Sequence, residues 1–151
     1  MKIVTLSRLN SALADVIRDF EHVGIWNERV RSVDVYLVPA AVLAYGWKYN
    51  GADGHIEIPA VNWARLQLLL FGRSLDYGLR DVLRHEYGHA IADLYPRLTR
   101  SRAFVSVFGG GYDRGQPVRE YDPAIHVSAY AATQPAEDFA ECFMLYVKHR
   151  G

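Results

Sequence analysis

The chain has 151 residues, of which 50% are hydrophobic and 23% charged, with 17 basic and 17 acidic side chains. A chain of this length buries about 70% of its extended surface, so one domain can hold its core without a disulfide or a structural metal. The ordinary apolar fraction excludes intrinsic disorder. The balanced charge offers no electrostatic case for nucleic acid or an anionic membrane, and the single Cys142 has no partner for an internal disulfide.

Arg8 and Asp15 interrupt the N-terminal stretch where an export signal needs an apolar run. The longest uncharged run, Val35 to Trp47, contains Pro39 and is too short to cross a bilayer. The expectation is a non-exported, cytoplasmic protein. Leu9, Leu13, Val16, Ile17 and Phe20 recur at helical steps and predict an amphipathic helix from Leu9 to Phe20, with Ser7 or Asn10 near its start. From Ser32 the period shortens. Val33, Val35 and Leu37 alternate, Tyr45 to Tyr49 forms a second strand, and the turn Asn50 to Gly54 leads into a third, His55 to Pro59. Pro59 ends that strand or marks it as a sheet edge, and a free edge there would suit an extended peptide.

A short helix is expected from Ala60 to Phe71. Ser74 then caps a helix from Leu75 to about Tyr95, with Pro96 just beyond. Phe104 to Pro123 reads as one long loop, whose Gly109-Gly110-Gly111 run suits either a lid or a plain surface loop. Pro135 opens the last helix, which runs to about Lys148 after Thr133 or Gln134 as cap. The whole is a single α+β domain, residues 1–151, with helices on a small mixed sheet. Trp26, Trp47, Trp63, Tyr36 and Tyr45 are expected in the core, and His126 at the surface or lining a substrate pocket.

The run His85-Glu86-Tyr87-Gly88-His89 carries the chemistry. Histidines four apart stand one helical turn apart, about 6 Å between Cβ atoms, so both imidazoles reach one ion. Zinc takes imidazole nitrogen and, in catalytic sites, three protein ligands plus a water. Glu86 follows the first histidine, where a carboxylate can serve as base toward that water. A solvated helix face is the plain alternative.

A third ligand is required. The metzincin pattern fails, because Ala92 and Tyr95 stand where it needs glycine and histidine, and the deformylase pattern fails, because Cys142 lies downstream of the histidines. Carboxylates of the last helix remain. Ala136 to Val147 is apolar apart from Glu137, Asp138 and Glu141, which marks a buried helix, where acids are costly unless paired or bound to a cation. The helix dipole accounts for acids in the first turn, but not for Glu141 a turn deeper.

His85-Glu86-x-x-His89 followed by a helical glutamate resembles the gluzincins. Ser128-x-Tyr130-Ala131 and Glu137-Asp138-x-Ala140-Glu141 resemble bacterial zinc-binding metallopeptidases and the catalytic domain of anthrax lethal factor. The resemblance implies a zincin-like fold, with one zinc held by His85, His89 and Glu137. It also implies Tyr130 as an assisting phenol, and Glu141 as an outer partner to a ligand imidazole. One departure is Phe139, where tryptophan is expected; the further expectation is that no accessory N-terminal domain accompanies this one. The implied activity is that of a zinc metalloendopeptidase acting on a peptide or protein, with Glu86 as general base. A zincin-fold binding or regulatory module without turnover, or a small-molecule amide hydrolase, are the alternatives.

Overall fold

A computed structural model describes residues 3–40, 46–61, 77–112 and 117–151. Within them the chain is a mixed α+β structure of six helices and one three-stranded sheet. Helix α1, Leu6–His22, starts earlier than its apolar pattern suggests, because Thr5 caps it by accepting the Arg8 N–H at 3.3 Å. Its buried stripe is Leu9, Ala12, Val16 and Phe20. A one-turn helix α2, Glu28–Arg31, follows under an Asn27 cap.

Strands β1 (Asp34–Val38), β2 (Gly46–Tyr49) and β3 (Gly54–Pro59) lie in the order β1-β3-β2. β1 runs parallel to β3 with Val35 opposite Ile56, and β2 runs antiparallel to β3 with Trp47 opposite Ile56. The strand His55 to Pro59 is therefore central and offers no free edge, contrary to the sequence expectation. Ile56 and Ile58 are fully buried, and Pro59 ends the strand. Among the described residues, β2 is paired on one side only. Tyr36 is not in the core: it is 49% exposed and its hydroxyl donates to Asp34. The expected helix beyond Val61, and Trp63 and Tyr45, lie outside the described residues.

Helix α3, Leu79–Leu94, begins at Gly78 and not after Ser74. Tyr77 and Gly78 are not helical, and the Asp81 carboxylate takes the Gly78 N–H at 3.2 Å, closing the first turn. Two short helices follow, α4 (Pro96–Thr99) and α5 (Arg102–Phe108). The second lies where a continuous loop is expected from Phe104. Ser101 caps its start and Gly109, at φ 73°, its end, the left-handed conformation that glycine adopts without strain. After a 3₁₀ turn at Ala131–Thr133 comes helix α6, Pro135–Arg150.

Helices α1, α3 and α6 enclose the core, where Phe20 meets Tyr87 edge-on at 5.0 Å and Phe143 at 6.0 Å. A half-sequestered ion network ties the three together. Arg84 on α3 reaches Asp19 on α1 and Asp81, and Lys148 on α6 reaches Asp81 at 3.0 Å. At the α3–α6 crossing Gly88 is decisive, because a Cβ there would stand 3.1 Å from the Ala140 Cα and 3.2 Å from Phe143. The missing side chain lets the two backbones approach closely enough for their polar residues to meet. Among the described residues, no helix is long and apolar enough to cross a membrane.

Candidate metal centre

The α-helical repeat of α3 puts His85 and His89 side by side, with ring centroids 4.9 Å apart. Across the close crossing, α6 supplies Glu137. Its Oε2 lies 3.1 Å from His85 Nε2 and 3.2 Å from His89 Nε2, and the two Nε2 atoms are 3.2 Å apart. These three form the one group of three or more possible ligand side chains among the described residues that could hold a metal ion. The donor set fits one. Ligands about 2.0–2.1 Å from a tetrahedral ion stand roughly 3.3 Å from one another, close to each edge of this triangle.

Both rings use their other nitrogen to fix their orientation. His85 is 1% exposed and its Nδ1–H donates to Glu141 Oε1 at 2.9 Å. Glu141 is fully buried, and an isolated carboxylate there would cost several kcal/mol. Two hydroxyls complete its shell, that of Ser128 at 2.9 Å and that of Tyr77. Ser128 also accepts the Ala131 N–H at 2.9 Å, so it links this shell to the turn that carries Tyr130. His89 Nδ1 meets the Tyr112 hydroxyl at 2.7 Å.

Glu86 is 6% exposed, and its Oε2 accepts the Trp47 backbone N–H at 2.8 Å. Gly46 makes this possible. Its φ is 86°, and a Cβ there would fall 2.7 Å from that same carboxylate oxygen. The Trp47 indole N–H donates to Asp93 at 2.7 Å, one turn beyond His89, and so binds β2 to the helix a second time. Tyr130 packs with its ring centroid 5.9 Å from that of His85. Burial pushes its phenol well above the ordinary range, and the Glu137 carboxylate adds to this through charge and a hydrogen bond.

Three carboxylates gather around two imidazoles here. Burial opposes charge on His85, yet Glu137 and Glu141 hold its pKa up to about 10, with Glu86 contributing. Burial likewise works against the Glu137 charge, but the bonds from His85 and His89 outweigh it and keep the carboxyl well below the usual range. In the metal-free state, the proton held on His85 offsets part of this negative charge.

The structure brings His85, Glu86, His89, Tyr130, Glu137 and Glu141 into one place. It also brings in residues that the sequence pattern does not single out: Tyr77, Tyr112, Trp47, Gly46 and Arg119. Arg119 donates to the Phe108, Ala131 and Ala132 carbonyls at 2.8, 3.0 and 3.1 Å and to Asp138 at 3.1 Å. It thereby fastens α5 to the turn before α6. No spacing rule exposes such contacts, since each joins segments far apart in the chain. His126 is not a surface residue: it is 7% exposed and its Nδ1 accepts the Asp122 N–H, closing a turn. Of the segment read as either a lid or a plain surface loop, Tyr112 meets His89, and residues 113–116 lie outside the described residues. The chain matches no protein-family model, no curated protein and no solved structure.

Proposed function

We propose that the protein is a zinc-dependent peptidase that hydrolyses internal peptide bonds. The observation that carries this reading is the convergence of His85 Nε2, His89 Nε2 and Glu137 Oε2 within 3.2 Å of one another, with the buried Glu86 next in the chain to His85. Two imidazoles and a carboxylate are a donor set of catalytic zinc. The resemblance of the His85–His89 and Ser128–Glu141 stretches to the gluzincins supports the same reading.

Zinc held by His85, His89 and Glu137 would lower the pKa of a water to about 7 and polarise a carbonyl oxygen. Glu86 is the general base of this reading: it would take a proton from the attacking water and return it to the leaving amine. The Trp47 N–H holds one of its oxygens and so aims the group. The raised pKa of Tyr130 keeps its hydroxyl protonated, and on turning from Glu137 that hydroxyl would donate to the oxyanion that develops on the substrate. An extended peptide backbone would lie beside β2, whose Trp47 N–H is held by Glu86 in the free protein, and so alongside the strand that orients the base.

Hydrolysis of a peptide library by the zinc-loaded protein tests this. Glu86→Gln should lower the rate by about 10²–10⁴ with one zinc retained, and Tyr130→Phe by about 10²–10³. Equal function of the wild type and Glu86→Gln would instead identify a binding module. Turnover of acyl-amino compounds alone would identify a small-molecule amide hydrolase.

A further inference from the structure

The two imidazoles have unlike outer partners. His85 leans on Glu141, a carboxylate that only accepts hydrogen bonds, buried on α6 and itself held by two hydroxyls. His89 meets a phenol, which both donates and accepts. That phenol belongs to Tyr112, which stands just beyond the glycine run that ends α5. Two observations show its seat to be built. Its ring packs edge-on against Phe104 at 6.2 Å and Phe139 at 6.4 Å. The end of α5 is fixed independently by Arg119 on the Phe108 carbonyl, with Gly109 in the left-handed region beside it. The aromatic contacts aim the hydroxyl, and the hydroxyl meets His89 Nδ1 at 2.7 Å.

We propose that Tyr112 is a positioning residue for His89, one that fixes the ring in the orientation a metal ligand needs. The inference rests on the zinc reading above. When Nε2 binds a cation, Nδ1 must carry the ring proton and donate it outward, and the Tyr112 oxygen accepts. When Nε2 instead donates to Glu137, a neutral ring leaves Nδ1 bare, and the Tyr112 O–H donates in the opposite direction. One hydroxyl serves both tautomers, which the Glu141 carboxylate could not do for a bare nitrogen. His89 therefore keeps its place in either state, and the segment from Gly109 to Tyr112 is anchored to the metal centre by its last residue.

The test is the affinity for zinc of wild type and Tyr112→Phe, measured by competition with a chromophoric chelator, beside the visible spectrum of each protein saturated with cobalt. Phenylalanine keeps the ring in its aromatic seat, so the metal-free variant should still fold cooperatively, with its midpoint lowered only by the loss of one hydrogen bond to His89. Tyr112→Phe is expected to bind zinc about 10–100-fold more weakly and to show a changed cobalt absorption envelope, which a residue that merely packs would leave alone. Equal affinity and superimposable spectra would overturn the proposal while leaving the zinc reading intact. A wild type that binds neither metal would remove that reading itself.

Discussion

A single oxygen of Glu137 faces two imidazole nitrogens, and in the metal-free protein this has a pH signature. Folded His85 holds its proton up to a pKa of about 10, whereas an unfolded histidine releases it near 6.5. Between those values the folded chain binds the extra proton, so stability falls as pH rises. At the acid end Glu137 acts in the other sense. Its folded pKa lies below the ordinary 4.5, so the stability it contributes is complete above that pH and drains away as pH falls toward the depressed value. Thermal unfolding of the metal-free protein should give its highest midpoint at about pH 5 to 6.5 and a decline toward pH 10. Zinc should reverse the alkaline slope, because deprotonated ligands favour the ion. A metal-free midpoint that climbs steadily from pH 6.5 to 9 would show that His85 is not held protonated.

Between elements, the α3–α6 crossing sets the site's dimensions. A methyl group at Gly88 would meet the Ala140 backbone at 3.1 Å, and backbone does not rotate out of the way. Gly88→Ala should therefore push the helices apart by a few tenths of an ångström. The expected cost is about 1–3 kcal/mol of stability, as for other overpacked contacts, with weaker zinc binding as His85 and Glu137 separate. A denaturant titration and a zinc titration of the variant check both effects, and unchanged values would mean that the crossing has slack. The sequence announced these two helices, because the Pro96 stop after α3 and the Pro135 start of α6 are local signals. Other elements were harder to read. Ser74 is a good cap, but Gly78 and Asp81 make the actual start. The glycines after Phe108 hid the short α5. The strand order β1-β3-β2 depends on a parallel pairing between β1 and β3, for which alternation within each strand carries no signal, and Pro59 made β3 read as an edge.

At the scale of the molecule, the sheet and the helices divide the work. Strand β2 reaches Glu86 and Asp93 through Trp47, while α3 and α6 supply the His85, His89 and Glu137 donors and Arg119 pins the turn bearing Tyr130. The histidine pair was legible from spacing alone, and the buried acids of α6 from their apolar surroundings. The choice of Glu137 over Glu141 came only with resemblance, since helical geometry puts both on one face. Their places in the structure differ: Glu137 meets both Nε2 atoms, whereas Glu141 meets His85 Nδ1, on the far side of the ring. Metal analysis of the purified protein and its Glu137→Ala and Glu141→Ala variants tests the central claim most directly. One zinc per chain is expected in the wild type, none in Glu137→Ala, and one bound about 10–100-fold more weakly in Glu141→Ala. A wild type without zinc, or a Glu137→Ala protein that holds it as tightly, would contradict the account.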